Sequence, residues 1–189
     1  MRAAQEWSQS REKSSAGTAT THRVATITSR LTAQAWDLGV VAVWAAFAAS
    51  VGIGLRATGI GPSTPLALDV EAFLTLVLPV ILTFAYQEGS ARQATFGKRR
   101  MGAVVVDNHG GPPGFGRALV RSVVKFAPWQ MAHTAVLHLL ADDTASGYLV
   151  LSLGAQGLVL ASVIVMLLDG RHRAFHDWVA GTRVVMLEA

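Results

Sequence analysis

The sequence predicts an all-α polytopic membrane protein. It should have about four transmembrane helices, three plus a shorter or partly interfacial one, and a small cytoplasmic two-stranded β-ribbon. Two observations carry this prediction. Four uncharged or nearly uncharged stretches are each long enough to cross a bilayer, and the Lys and Arg residues between them are segregated to alternate connections. A helix rises about 1.5 Å per residue, so ~20 apolar residues span the ~30 Å hydrocarbon core.

The clearest spans are Leu38–Leu55 and Tyr148–Leu168, neither of which holds a charge. A third runs from about Leu66 to Tyr86 and carries Asp69 and Glu71 only at its start. Ser122–Leu140 is the weaker fourth, because it contains Lys125, Pro128, His133 and His138. Charge decides whether it counts. Of the 16 Lys and Arg residues, five precede the first span (Arg2, Arg11, Lys13, Arg23, Arg30). Six lie between the second and third spans (Arg92, Lys98, Arg99, Arg100, Arg117, Arg121), and three follow the last (Arg171, Arg173, Arg183). The connection after the first span holds only Arg56, and the Ala141–Gly147 loop holds Asp142 and Asp143 instead. Basic loops stay cytoplasmic. Four spans place every basic connection inside, with both termini cytoplasmic, whereas three would strand the basic C-terminus outside. Lys125 then lies near the cytoplasmic end, where it can snorkel.

The same asymmetry accounts for the net charge of +4 without nucleic acid, and no aromatic-plus-basic pattern for RNA is present. The chain has no cysteine, which excludes disulfides, a thiol nucleophile and thiolate metal sites. Residues 1–26 are rich in Ser, Thr, Ala, Gln and charge and have no apolar h-region. They read as a disordered cytoplasmic tail ahead of a membrane domain over 27–187, not as a secretory signal.

The first helix is expected to start near Ile27–Arg30 with Thr28 or Ser29 as its cap. Ala42/Ala46, Ala45/Ala49 and Ala48/Gly52, and later Gly157/Ala161, repeat small residues at a spacing that lets helices approach closely. The chain's general richness in alanine is the plainer explanation. Pro79 should kink the second span, and Gln156 is a mid-span polar group in need of a partner. In the one substantial loop, Val104–Val106 followed by Asp107-Asn108-His109-Gly110-Gly111 reads as a strand and a turn. Thr182–Leu187 is also strand-like, and the two should pair at the membrane surface.

Few residues could carry chemistry. Arg30 and Asp37 are two helical turns apart, with Asp37 at the membrane boundary beside Trp36. A carboxylate there needs a partner, either in a structural ion pair joining helix ends or in a substrate or ion site. Asp169, Arg171, His172, Arg173, His176 and Asp177 form a second cluster. His172 and His176 have helical chelate spacing, but the neighbouring arginines make a poor cation site, so no metal is expected. Thr95-Phe96-Gly97-Lys98-Arg99 looks like the end of a phosphate-binding loop. The Walker pattern nonetheless needs Gly four residues before Gly-Lys and a hydroxyl after it, and here Arg92 and Arg99 stand near those places. No catalytic set is present, so the chain is not expected to be an enzyme, and no cofactor is expected.

Arg30 and Asp37 enter the first span. Thr95-Phe96-Gly97-Lys98-Arg99, Gly102, Val105-Val106-Asp107 and Gly110 follow, then Arg117-Ala118-Leu119-Val120-Arg121, and last His176-Asp177-Trp178-Val179-Ala180-Gly181-Thr182-Arg183. In that order, over about residues 27–187, they resemble the RDD family of bacterial membrane proteins. The family is named for one Arg and two Asp residues, which correspond here to Arg30, Asp37 and Asp177. The chain departs from the family pattern at Val104, where a basic or polar residue is common, and the family is commonly described with three spans. The resemblance implies a bacterial inner-membrane location and a transport role for a small ligand or ion.

Arg30, Asp37, Lys98, Arg121 and Asp177 all fall on the predicted cytoplasmic side. They are the candidate polar network, with Thr95, Gly97, Gly102, His176, Gly181 and Thr182 as supporting motif residues. Counted this way the network has three cations and two carboxylates. It suits an anionic headgroup or substrate as well as a structural lock. Two functions follow: a small transporter, or a non-catalytic accessory or assembly subunit of a larger membrane complex. The expected partners are the bilayer, anionic lipid at the cytoplasmic face, and a homo-oligomer or larger complex.

Overall fold

The computed structural model describes residues 23–141 and 146–187. In chain order they form β1 (Arg23–Val24), α1 (Ile27–Ala57), α2 (Pro65–Gly89), α3 (Phe96–Arg100), β2 (Ala103–Asp107), α4 (Gly114–Leu140), α5 (Ser146–Leu168), α6 (Phe175–Ala180) and β3 (Thr182–Met186). The acidic pair Asp142-Asp143 and residues 1–22 of the expected disordered tail lie outside the described residues.

Helices α1, α2 and α5 are long and apolar enough to cross a membrane, with 31, 25 and 23 residues. Helix α4 matches them in length, 27 residues or about 40 Å. Its sequence is less apolar because it packs against α2 on one side and α5 on another. Its buried Ala118, Arg121, Ser122, Phe126, Ala135 and His138 need to suit protein rather than lipid. Phe126 meets Phe84 of α2 edge to face at 5.0 Å, inside a core that also holds Val41, Val77, Val80 and Ile81. The start of α1, the end of α2, the start of α4 and the end of α5 all meet the sheet and the short helices α3 and α6. The four long helices therefore run alternately up and down. Weak polar contacts tie the far end: Arg56 to Glu71 at 3.5 Å, and Asp69 accepting from Gln130 and Thr134.

The ribbon has three strands rather than two, in the order β1-β3-β2. The expected pairing of β2 with β3 is present and antiparallel, Ala103 opposite Met186 through Asp107 opposite Thr182. The added strand is Arg23–Val24, which composition had placed in the tail; it pairs with Val185 and Met186. Both faces of the sheet are buried, Ala25, Ala103, Val105 and Val184 on one and Ala94, Val104, Val106 and Val185 on the other. A sheet covered on both faces requires an unbroken apolar run, which is why β2 reads Ala-Val-Val-Val.

Several local expectations change form. The cap of α1 is Thr26, whose hydroxyl accepts from the Ser29 N–H at 3.2 Å. The disturbance near Pro79 is a π turn over Phe73–Val77, in which Leu78 N–H reaches back to the Phe73 carbonyl. One extra residue in that turn absorbs the hydrogen bond proline cannot make. Gln156 donates to the Ser152 carbonyl of its own helix at 3.4 Å and needs no second helix. The small-residue stripe of α1 is only half-buried: the fully buried residues of this helix stop at Val41, and Ala45, Ala48 and Gly52 beyond it are partly covered.

Gly97 is where α3 presses on α1. A Cβ at this position would fall on the Ala33 carbonyl oxygen and crowd Asp37. Gly97→Ala should therefore destabilise the protein by about 3 kcal/mol, since backbone cannot yield as a side chain can. The check is a melting curve in detergent beside Gly102→Ala, whose φ of 64° strains the backbone but whose side chain enters open space. The reading of this contact fails if the two variants melt alike.

Candidate functional site

At the sheet end of the bundle, six buried side chains alternate in charge. Beginning on α1, the Asp37 carboxylate lies 4.0 Å from Lys98 Nζ of α3. Lys98 Nζ donates to Glu88 Oε1 of α2 at 2.7 Å. Glu88 Oε2 accepts from Arg121 Nε of α4 at 2.8 Å. Arg121 pairs with Asp177 of α6, and Asp177 pairs with Arg30, back on α1 two helical turns before Asp37. The circuit closes through α1 and ties five helices together. Every member is buried, and Asp177 has no exposed surface at all.

Each position has a local cause. Thr95 caps α3 and donates its hydroxyl to Asp37 Oδ2 at 2.6 Å, while Gly97 N–H donates to Oδ1 at 2.7 Å. Asp37 is thus held at a helix start by neutral donors as well as by Lys98. Asp177 sits in the first turn of α6, where it accepts from the Ala174 N–H at 2.9 Å and from Thr182 at 3.4 Å. Thr182 also accepts from Arg121 at 3.1 Å. Gly181, at φ 63°, turns the chain out of α6 so that Thr182 can enter β3 beside its partners. Gly102, at φ 64°, makes the equivalent turn into β2, and its carbonyl accepts from Leu187.

All five residues of the sequence-predicted network meet here. Arg30 and Asp37 do not pair with each other; they are the two ends of the chain of contacts. Sequence reasoning missed Glu88, which bridges Lys98 and Arg121 and brings the network to three cations and three carboxylates. The network is therefore balanced, not net positive. An available signal was the count itself: three cations at a membrane boundary beside two acids require a third.

Lys125 supplies the charge that is left over. Instead of snorkelling outward, its Nζ lies 4.6 Å from the Phe84 ring centre and 5.4 Å from that of Phe126. No carboxylate among the described residues pairs with it. It faces a cavity of about 650 Å³ bounded by α1, α4, α5 and α6. Arg30, Lys98 and Arg121 also reach this cavity, while its walls are apolar, among them Leu38, Val124, Val159 and Met166. Arg30 Nη1 is buried there without a hydrogen-bond partner.

His176 lines the same cavity. Burial first, then the cations Arg121, Lys125, Arg30 and Lys98, hold it well below the ordinary imidazole range, so it is neutral at physiological pH. It does not chelate with His172, which stands in a turn at φ 52° rather than on a helix. Asp169, one turn away, is bound by the Arg173 guanidinium and held at about 2.

Removing one charge from the middle of the circuit leaves two opposite charges without it. Glu88→Gln should lower stability by about 3–5 kcal/mol, whereas the surface pair Arg117–Asp107 should contribute less than about 1 kcal/mol. Melting of Glu88→Gln beside Asp107→Asn in the same detergent compares them. Equal losses would mean the circuit is no more than a surface ion-pair set.

The family model described as the RDD family matches residues 24–181. No curated protein and no solved structure matches the chain.

Proposed function

The chain belongs to the RDD family of membrane proteins, and we propose that it binds an anionic ligand beside the charge circuit and moves it within or across the membrane. One observation carries this reading. The 650 Å³ cavity has the size of a small-ligand site, apolar walls and a cluster of cations at one end. The carboxylates of the circuit are turned into their partners, so what faces the cavity is positive. The closed circuit keeps this end of the bundle rigid, which is what a preformed site requires.

From the positive-inside pattern we infer that the circuit and both termini lie on the cytoplasmic side of a bacterial inner membrane, with α4 as a fourth span. The absence of cysteine makes this directly testable. A cysteine introduced at Ser63, between α1 and α2, should react with an impermeant maleimide from outside intact cells. One at Asn108, in the turn after β2, should react only after lysis. Labelling of Asn108→Cys in intact cells would reverse the orientation.

Function is tested in proteoliposomes scored both for efflux of entrapped organic anions and for exchange of a fluorescent anionic lipid between leaflets. One of the two should be protein-dependent. Ser162→Trp, which fills the cavity from α5 without touching the circuit, should cut it at least tenfold. If neither occurs, and gentle extraction from native membranes yields other proteins in fixed ratio, the chain is an accessory subunit.

A further inference from the structure

Resting on the reading of the cavity as an anion site, we propose that its ligand is an anionic phospholipid drawn sideways from the cytoplasmic leaflet. The walls α1 and α5 both belong to the membrane, and they form no packed helix–helix face with each other. Leu31 and Leu38 on one side and Leu158, Val159 and Val163 on the other line the cavity and stay accessible. The opening between them therefore faces acyl chains, not water. A soluble anion would have to cross this apolar slot, whereas a lipid enters by sliding its headgroup inward with its chains trailing along α1 and α5.

The polar end fits a phosphate. The circuit is neutral as a whole, so Lys125 gives the cavity an excess of one positive charge. The unpartnered Arg30 Nη1 offers a buried N–H that a phosphate oxygen would accept from. Both groups are costly as they stand: a cation over aromatic rings without a counter-ion, and a guanidinium N–H without an acceptor. One ligand phosphate answers both. A zwitterionic headgroup answers them less well, because its ammonium would add to the excess positive charge that Lys125 leaves. Exposed Arg99 and Arg100 on α3 attract anionic lipid in general, but they belong to the surface and would not hold a lipid in place.

The experiment is a melting titration of the purified full chain in detergent with three probes: phosphatidylglycerol, phosphatidylcholine and inorganic phosphate. Phosphatidylglycerol should raise the melting temperature saturably, and the other two should not. Lys125→Gln should weaken the apparent affinity for phosphatidylglycerol about fivefold, the worth of one near-surface cation. Ser162→Trp should abolish the effect, and Arg99→Gln/Arg100→Gln should leave it. Equal stabilisation by both lipids, or loss of the effect only in the double arginine variant, overturns the proposal. Saturable stabilisation by inorganic phosphate alone overturns the lipid but keeps the anion site. No response to any probe overturns both.

Discussion

Six charges buried at one end of a membrane bundle set the terms for the rest of the molecule. Each alone would cost several kcal/mol to remove from water, and together they are tolerable only while the alternation is complete. That condition is geometric. Arg30 and Asp37 must be two turns apart on α1 so that α6 can reach one and α3 the other. Glu88 must end α2 where Arg121 begins the buried stretch of α4. The sheet follows from the same demand: β2 leaves α3, and β3 leaves α6, each through a left-handed glycine. Pairing β2 with β3 holds the two short helices, with their charged residues, against the bundle.

This also explains an uneven structure. Helix α1 is fully buried on one face from Ser29 to Val41 and only half-buried beyond, at Ala45, Ala48 and Gly52, although its far half is rich in alanine and glycine. The closest contacts of α1 are those of the circuit, of Gly97 and of Val41 in the core, all in its first half. In lipid, apolar burial gives no drive for helices to associate, so helices pack where polar groups or close approach demand it. Leu31, Gln34 and Leu38, in the first half of α1, line its side of the cavity opposite α5.

Much of this was legible. Leu38–Leu55 and Tyr148–Leu168 announce themselves by composition, and Val104–Val106 and Thr182–Leu187 by β-branched runs next to turn residues. Five of the six circuit members were visible as charges near a membrane boundary in the RDD pattern. Glu88 was not, because it follows the second span's apolar run and reads as the first charged residue of a loop. Strand β1 escaped because two residues carry no periodicity; they become a strand only against the free edge of β3. Helix α4 was hard to read for a tertiary reason. Its polar residues face α2, α5 and α6, and a hydropathy window assumes they face lipid.

Arg30 links the two halves of the argument. One of its terminal nitrogens holds Asp177, and the other is buried without a partner at the cavity. A guanidinium is planar and rigid, so the Asp177 pair also fixes the plane in which its unpartnered N–H lies. Whatever anion takes that N–H is therefore connected to Asp177, and through it to the short helix α6 and the start of β3. Because the contact network is continuous, an anion bound as proposed would stabilise the closed circuit, and a circuit opened at Asp177 would release the group proposed to hold it. Since α6 and β3 lie on the sheet side, the element that would report occupancy is the sheet, not the far end of the bundle.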